Sequence, residues 1–223
     1  MKIDLHCHSY YSKDGISSPE KLLKTALKKG LDGIALTDHD TTQGWEKVIK
    51  FARELNAVLI LGQEIKTKKN GKIVGDILGL FLKKEVKNRE PLGVIKEIKK
   101  QGGIVVIPHP FHFPENFKDD LKKYIDLIDG IEVFNARLPF SFQDKKAFEF
   151  AKKYNLSITA GSDAHFHKAI GDAYTIVENA KNLEDFKKAF FERKTKIEGK
   201  KSSPLYWVFP TLAKIGFKKT PKI

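Results

Sequence analysis

Short apolar segments alternate with amphipathic segments along almost the whole chain, and this alternation limits the possible folds more than any other feature. Segments that alternate in this way predict a mainly parallel sheet covered by helices, so the expected fold class is α/β. The spacing is on the ~30-residue scale of a βα unit, and the number of units is enough to close a barrel. The predicted strands end near Cys7, His39, Glu64, His109, Asn135 and Asp163.

Helix signals lie between these strands. Ser18 and Pro19 are typical of a helix start, and Gly30 is typical of a helix end. Further helices are predicted from about Thr42 to Leu55 and over residues 91–100, 118–128, 142–154 and 183–194. The pair Asn70-Gly71 predicts a β-hairpin turn.

Composition limits the class of protein. A chain of 223 residues with 41% hydrophobic and 31% charged residues is expected to form one globular domain. The single cysteine, Cys7, excludes an internal disulfide framework, and no apolar run reaches the ~18 residues that span a bilayer. We therefore expect a cytoplasmic protein without a membrane partner.

The chain carries a net charge of +13, which favours anionic partners such as phosphate esters, nucleotides or nucleic acid. A lysine-rich solvated surface would give the same charge. We expect a barrel domain over residues 1–199 and an aromatic and basic C-terminal tail over residues 200–223. The tail is expected to pack on the barrel, with a surface for a partner or for nucleic acid as the alternative.

The histidines and several acidic residues follow the predicted strands at their carboxyl ends. In a βα barrel these ends form one face, where active sites assemble. His6 and His8 are two residues apart on a strand, so their side chains point the same way while Cys7 points the opposite way. Two convergent imidazoles with nearby carboxylates form a typical metal-ligand arrangement, although a lone pair of this kind is also compatible with two half-buried polar residues.

Other residues at this face strengthen the metal interpretation. Glu64 ends a strongly apolar strand, where an unpaired carboxylate is costly and where it could bridge two cations. Asp76 interrupts an apolar run, so it either ends a hairpin strand or faces the site. Two or three cations would use such a set and offset its negative charge. The remaining candidates are Asp14, Asp38, His39, Asp40, His109, Asp163 and His165.

The sequence lacks the patterns of other hydrolase mechanisms. No GxxxxGK[ST] loop is present, which argues against an NTPase. No GxSxG motif is present, and Cys7 lies inside the first strand, so neither a serine nor a cysteine nucleophile is supported.

The segments DLHCHS with Asp14, LTDHD, GQEI, PHP and GSDAH occur in this order between Met1 and about Ile176. The ordered set resembles the PHP (polymerase and histidinol phosphatase) family. The resemblance implies a distorted (β/α)7 barrel with a two- or three-metal site at its C-terminal face. It also implies hydrolysis of phosphoesters, either monoesters or diesters in nucleotides and nucleic acids.

Residue by residue, the resemblance implies that Glu64 is a bridging carboxylate. Asp76 stands where many relatives have a histidine, which puts a third ion in question. Asp38 and Asp40 are further candidates, as additional ligands or as residues that orient ligands. The implied metal ligands are His6, His8, Asp14, His39, Glu64, His109, Asp163 and His165.

Two residues near the end of the strand IEVFNAR are candidates for substrate binding. Asn135 and Arg137 alternate to the same side of it. The guanidinium of Arg137 matches phosphate oxygens in geometry, so it could clamp a phosphate, or it could form a surface ion pair.

The expected function is that of a metal-dependent phosphoesterase acting on a phosphomonoester or a nucleotide phosphate. A metal-bridging hydroxide would be the nucleophile. The sequence assigns no separate general acid, and a histidine at the edge of the site or a metal-bound water could serve. The mixed ligands suit Zn, Mn or Fe. The alternatives are a phosphodiesterase or nuclease on short oligonucleotides, a hydrolase of amides or lactones, and a non-catalytic PHP-like module that binds metal or nucleic acid.

Overall fold

Nine strands form one sheet in the computed structural model, which describes residues 1–139, 141–206, 208 and 211. The strands are β1 (Lys2–Cys7), β2 (Gly33–Leu36), β3 (Val58–Lys69), β4 (Lys72–Leu80), β5 (Ile104–Ile107), β6 (Gly130–Asn135), β7 (Ser157–Gly161), β8 (Ala173–Ile176) and β9 (Lys196–Gly199). The helices are α1 (Pro19–Lys28), α2 (Trp45–Glu54), α3 (Pro91–Lys100), α4 (Ser141–Lys153) and α5 (Leu183–Phe191). Two 3₁₀ helices cover Leu121–Tyr124 and His167–Ala169.

The sheet is curled until the ends of β1 and β7 meet. The His8 N–H donates to the Ala164 carbonyl at 2.9 Å, and the Asp163 N–H donates to the His6 carbonyl at 2.8 Å. The strand order is β7-β6-β5-β4-β3-β2-β1-β8-β9. The result is a nearly closed barrel, which confirms the expected distorted α/β barrel.

The barrel differs from the expectation in strand number and direction. The described residues form nine strands rather than seven. The pairs β1–β2, β2–β3, β5–β6 and β6–β7 are parallel, whereas β4 and β8 run antiparallel to both of their neighbours. The sheet is therefore mixed rather than mainly parallel. The hairpin that Asn70-Gly71 predicts is the source of the reversed strand β4, because a two-residue turn joins only antiparallel strands.

Local signals in the sequence place most helix starts. The Ser18 hydroxyl accepts the Lys21 N–H at 3.2 Å, and Pro19 is the first residue of α1. The Glu90 carboxylate accepts the Gly93 N–H at 2.9 Å ahead of α3. These caps satisfy amide groups that have no partner within the helix.

The helix expected over residues 118–128 is wrong. Only the single 3₁₀ turn Leu121–Tyr124 forms there. Asp120 accepts the Lys122 N–H at 3.1 Å, and Asp119 accepts the Tyr124 hydroxyl at 2.7 Å. Such local bonds from aspartate compete with helical hydrogen bonds and favour turns.

Apolar residues from the sheet and the helices form the core. Leu22 and Leu23 of α1 pack with Cys7 and Ile34, so Cys7 points away from the neighbouring histidines, as predicted. On α5, Phe190 is fully buried, and its carbonyl accepts the Ser157 hydroxyl at the amino end of β7. Helix α5 therefore covers the amino ends of the strands and leaves the carboxyl ends open.

The first residues of the tail contact the barrel. The Ser202 N–H donates to the Ala136 carbonyl at 2.8 Å, and the Tyr206 ring lies 5.8 Å from that of Phe166. Residues 207, 209, 210 and 212–223 lie outside the described residues, so the expected packing of that part stays a prediction. No helix in the described part of the chain has the length and apolar character needed to cross a membrane.

Candidate metal centre

The eight side chains predicted as metal ligands meet at the carboxyl ends of the strands. They come from β1, β3 and the loops that follow β1, β2, β5 and β7, and all but His39 are buried. Parallel strands direct their carboxyl ends to one rim, so residues far apart in sequence become neighbours. The eight are His6, His8, Asp14, His39, Glu64, His109, Asp163 and His165.

Glu64 lies at the centre of this group. Its Oε2 is 3.4 Å from His6 Nε2, 3.3 Å from His8 Nε2 and 2.8 Å from His39 Nδ1. Its Oε1 is 3.2 Å from His109 Nε2. One carboxylate therefore faces four imidazoles with both oxygens, which is the geometry of a bridging ligand between two cations.

Asp163 forms a second point of convergence. Its Oδ1 lies 3.7 Å from His6 Nε2, 3.3 Å from His8 Nε2 and 3.5 Å from His165 Nδ1. Its Oδ2 lies 3.4 Å from a guanidinium nitrogen of Arg137. The φ of Asp163 is +50°, a left-handed conformation that non-glycine residues adopt rarely and that turns this carboxylate into the cluster.

The first loop brings Asp14 to the opposite side of the cluster. Its Oδ1 is 3.2 Å from His165 Nε2 and 3.7 Å from His39 Nε2. The rings of His8 and His39 stack with centroids 4.2 Å apart. Asp14 thus joins the group although no strand carries it.

Neighbouring groups orient the imidazoles so that one ring nitrogen faces the cluster. His6 Nδ1 is 3.0 Å from Glu132, His8 Nδ1 is 3.3 Å from the Ser12 hydroxyl, and His165 Nδ1 is 3.0 Å from the Asp163 carbonyl. In each ring, the opposite nitrogen, Nε2, points into the cluster. Metal-binding histidines in proteins are oriented in this way.

Sequence reasoning missed Glu132. This residue is 2% exposed, and its carboxylate contacts His6 Nδ1, accepts the His109 N–H at 2.9 Å and accepts the Asn135 amide at 3.0 Å. The sequence did contain a signal for Glu132, because a lone carboxylate in an apolar strand such as IEVFNAR needs a buried partner.

Asp38 and Asp40 hold the backbone around the centre. Asp38 accepts the Ser9 N–H, the Ser9 hydroxyl and the Ser12 hydroxyl, each at 2.7 Å, and so fixes the loop that carries Asp14. Asp40 accepts the Lys66 N–H at 3.1 Å. Both aspartates are engaged with protein donors, and neither belongs to the clusters of potential ligand atoms.

A small cavity of about 60 Å³ opens onto the cluster. Asp76 lines it, as do three residues that carry charge at its mouth, namely Lys66, Glu115 and Arg137. Sequence reasoning missed Lys66 and Glu115, since neither stands in a recognisable motif. The buried Oδ1 of Asp76 has no hydrogen-bond partner among the described residues.

The two predicted substrate-binding residues differ in exposure. Asn135 is 1% exposed, and its amide oxygen accepts the N–H groups of Arg137 and Leu138 at 3.0 and 3.2 Å. Its amide nitrogen donates to Glu132 and Asp163. Arg137 is 21% exposed and lines the cavity. Of the two, Arg137 is the side chain that faces the mouth.

Protonation divides the imidazoles into two groups. Burial, together with the neighbouring His39 and His165, lowers the pKa of His8 well below its ordinary value, so this ring is neutral. Burial acts in the same direction on His39 and His109, but the adjacent Glu64 outweighs it and raises the pKa of each to about 9. A cation that binds these two rings therefore displaces protons.

The carboxylates of Glu64 and Asp163 at the centre are ionised, whereas the carboxyl group of Asp76 has a raised pKa. Burial opposes the charge of Glu64, but His39 above all holds its pKa well below the usual range. Burial also opposes the charge of Asp163, and Arg137 is the main group that keeps its pKa well below the usual range. Burial and then the charge of Glu64 raise the pKa of Asp76 to about 6.

The donor set fits divalent cations. Potential ligand atoms within 4.8 Å of one another form four groups among the described residues: His8–His39–His165, His6–Glu64–His109, His6–His8–Asp163 and His109–Glu115–Asp163. Several of these atoms are buried without a hydrogen-bond partner among the described residues, including Nε2 of His6, Nε2 of His8 and Oε2 of Glu64. Buried polar atoms are normally satisfied, so their convergence indicates a site for cations.

The sequence model of the PHP domain matches residues 4–198. The chain belongs to the PHP domain family. The match covers all but the first two residues of β1 and the last residue of β9, so the resemblance that the motifs indicate is confirmed.

Relatives of this PHP domain protein include two uncharacterised proteins from Methanocaldococcus jannaschii. One is 37% identical over 147 residues, which are 61% of this chain and 82% of the relative, and the other is 33% identical over 183 residues, which are 78% and 69%. A 5'-3' exoribonuclease from Haemophilus influenzae is 43% identical over 79 residues, which are 35% of this chain and 28% of that enzyme.

Among solved structures, the PHP domain is similar to part of a two-domain protein from Bacteroides vulgatus that contains a predicted PHP-like metal-dependent phosphoesterase. The TM-score is 0.74 at 25% identity, over 90% of this chain and 65% of that chain. A lesion-specific endonuclease from Pyrococcus furiosus shares the fold, with a TM-score of 0.59 at 18% identity over 88% and 57% of the two chains. The chain is thus a member of a family of metal-dependent phosphoesterases, with clusters able to bind metal ions.

Proposed function

We propose that this protein hydrolyses a phosphomonoester or a nucleotide phosphate with two or three divalent cations, which are Zn, Mn or Fe. The observation that carries the proposal is the convergence of four imidazoles on Glu64, with Asp163 and Arg137 beside them. The proposed ligands are His6, His8, Asp14, His39, Glu64, His109, Asp163 and His165.

Bound cations lower the pKa of a coordinated water towards ~7 and neutralise charge on a reacting phosphate. Glu64 and Asp163 would hold neighbouring cations at a fixed separation, because each faces several imidazoles at once. Asp76 is a candidate for an additional ligand, since its buried Oδ1 lines the same cavity.

Arg137 is the proposed phosphate-binding residue. One nitrogen of its guanidinium lies 3.4 Å from Asp163, and the group as a whole lines the mouth of the cavity. A guanidinium offers several donors in a fork that matches phosphate oxygens. Lys66 on the same mouth adds a second positive charge. These two cations favour an anionic substrate over a neutral amide or lactone.

A second candidate is cleavage of short oligonucleotides. The net charge of +13 favours it, since polyanions bind through many phosphate contacts. The similarity to part of an exoribonuclease supports the same candidate. Because its single cysteine, Cys7, is free and buried and thus forms no disulfide, we expect the protein to act in the cytoplasm.

The test uses protein from which a chelator has removed metal. Mn, Zn or Fe is then added back, and hydrolysis of a panel of phosphate mono- and diesters is measured. We expect His8→Ala and Asp163→Asn each to lower kcat/KM by at least ~10³-fold, because each removes a proposed metal ligand. Circular dichroism and unfolding curves would show that both variants fold.

His112→Ala is a matched control, because this histidine is buried beside Asp144 and belongs to none of the ligand clusters. Full activity of His8→Ala or Asp163→Asn would remove those residues from the site. Turnover of amides or lactones without any turnover of phosphoesters would overturn the proposed reaction. Tight binding of metal with no turnover of any ester would instead support a non-catalytic module.

A further inference from the structure

A groove with a volume of about 650 Å³ lies outside the metal centre, and lysines dominate its walls. They come from three separate parts of the chain: the end of α1, the 3₁₀ helix His167–Ala169 and the segment after β9. The lysines are Lys28, Lys29, Lys168, Lys200 and Lys201. Asp172 is the only carboxylate among the described residues that line the groove.

Two of the lysines have local partners. Lys29 lies 3.1 Å from Asp172, and Lys201 forms an ion pair with Asp144 and donates to the Asn135 carbonyl at 2.9 Å. The Ser202 hydroxyl also donates to Asp172, at 2.8 Å. The one carboxylate of the groove is therefore already engaged.

The other three lysines are exposed and form no ion pair with any described residue. Lys28 ends α1, where the helix dipole favours a cation, but this explanation does not apply to Lys168 and Lys200. Like charges that converge on one concavity repel each other and raise its positive potential. Such a groove is suited to a ligand with several negative charges.

The groove lies next to the metal centre. Tyr206 lines the groove and also a crevice of about 10 Å³ whose other walls include Arg137, Asp163 and His165. The crevice is too small for a nucleotide, so a ligand would cross its outer surface. Tyr206 is thus shared by the groove and by the crevice that reaches the side chains of the centre.

Aromatic rings stand at this boundary. The rings of Tyr206 and Phe166 contact each other with centroids 5.8 Å apart, and both residues are half-buried. Positive grooves that track a phosphate backbone, combined with aromatic rings on which bases stack, are characteristic of surfaces that bind single-stranded nucleic acids.

We propose that the lysine groove binds the backbone of a single-stranded oligonucleotide whose terminal phosphate lies at the metal centre. The inference rests on the proposed phosphoesterase function, in its second form of cleavage of short oligonucleotides, and names the part of that substrate that lies outside the cavity. It favours the oligonucleotide as the natural substrate over a free monoester, because a monoester has no phosphates to place in the groove.

The test compares two triple variants of the full chain that carry the same change of charge. K28E/K168E/K200E alters the groove. K83E/K84E/K87E alters three exposed lysines that follow β4, whose last residue, Leu80, pairs with Ile104 at the start of β5. The control lysines therefore lie at the rim opposite the metal centre. Binding of a fluorescent single-stranded RNA of about 12 nucleotides is measured by anisotropy with chelator present, so that no cleavage occurs.

We expect the groove variant to weaken binding at least ~10-fold and the control variant to weaken it by less than about threefold. The slope of log affinity against log salt should fall in magnitude by about 2 in the groove variant only, since three phosphate contacts contribute about 0.7 each. Equal weakening in both variants would show an effect of net charge alone and would overturn the groove. Unchanged binding in the groove variant would overturn it as well.

Tyr206 tests the single-stranded part of the inference. Tyr206→Ala should weaken binding several-fold, whereas Tyr206→Phe, which keeps the ring, should leave it unchanged. Equal affinity of both variants and of the unaltered chain, or equal binding of inorganic polyphosphate and of the RNA, would overturn a site for single-stranded nucleic acid.

Hydrolysis of a small monoester with Mn restored separates this inference from the proposed function. Both triple variants should keep that activity within about twofold, because none of the six lysines lines the cavity of the metal centre. If the protein hydrolyses monoesters but the groove and control variants bind RNA with equal affinity, the groove is overturned and the proposed function stands. If the two variants differ in RNA affinity but no phosphoester is hydrolysed, the proposed function is overturned and the groove stands.

Discussion

Glu132 joins three separate parts of the metal centre, since it contacts the His6 ring, the His109 backbone and the Asn135 amide. Its replacement by glutamine leaves one acceptor oxygen where two were in use. Because a carboxylate behind a metal-binding histidine orients the ring and makes it more basic, we expect Glu132→Gln to lower metal affinity ~10–100-fold. Competition with a coloured chelator measures this directly.

Glu178→Gln is the matched control for this variant, because Glu178 is an exposed residue paired with Lys196. It should bind metal as the unaltered protein does. Equal metal affinity of Glu132→Gln and Glu178→Gln would mean that Glu132 does not position His6.

The raised pKa values of His39 and His109 make metal binding dependent on pH. Both are about 9 without metal, so both rings carry protons at pH 7 and a cation must displace them. Metal affinity should therefore rise as the pH rises from 7 to 9, by up to ~10-fold per pH unit for each proton displaced. Calorimetric titrations in buffers of different ionisation enthalpy count the released protons, and an affinity that is constant over this range would contradict the expectation.

At the scale of single elements, β7 packs closely against β1 next to His6 of the metal centre. A Cβ at Gly161 would lie 2.3 Å from the His6 Cβ and 2.9 Å from the His6 backbone nitrogen. The backbone of β1 would have to move to admit a methyl group. We expect Gly161→Ala to destabilise the fold by about 1–3 kcal/mol and to weaken metal binding, as measured by denaturant unfolding and metal titration.

Gly71 at the tip of the β3–β4 hairpin is the control for this substitution. A Cβ there meets no atom within 4 Å, but the φ of +75° is unfavourable for alanine. Gly71→Ala should therefore cost about 1–2 kcal/mol of stability and leave metal affinity unchanged. Full metal affinity of Gly161→Ala would show that the packing of β7 against His6 does not determine the geometry of the metal centre.

Whole-molecule stability should depend on the bound metal. Without cations, buried carboxylates and unsatisfied nitrogens face one another at the open end of the barrel. A ligand at 100 times its Kd adds about 2.7 kcal/mol, and a chain of this size shifts its Tm by about 2–4 °C per kcal/mol. Removal of metal by a chelator should then lower the Tm by roughly 5–10 °C in calorimetry.

Asp163→Asn provides the comparison for this shift, because the variant lacks a proposed ligand and should show little change in Tm with chelator. Identical Tm values of the loaded and chelated unaltered protein would show that the ions contribute nothing to the fold.

Local patterns predicted most elements of the barrel. Ser18-Pro19 and Gly30 bracket α1, and Asn70-Gly71 forms the turn of the β3–β4 hairpin, because caps and turns depend on residues adjacent in sequence. Where side chains compete for the same backbone, the prediction is wrong: Asp119 and Asp120 replace the helix expected over residues 118–128 with a single turn.

The sequence by itself predicted most of the residues that come together at the metal centre, because six of the eight proposed ligands lie at or just beyond the carboxyl end of a strand and parallel strands share one rim. Asp14 comes instead from the loop after β1, and Glu64 lies within the long strand β3 rather than at its end. Only the tertiary structure decided the groups behind and around them. Glu132 acquires its role by reaching His6 on another strand, and the lysine groove brings the end of α1 next to segments more than a hundred residues away in sequence. Such contacts depend on how far the barrel curls and on which strands it brings side by side. Neither can be predicted from the spacing of residues along the chain.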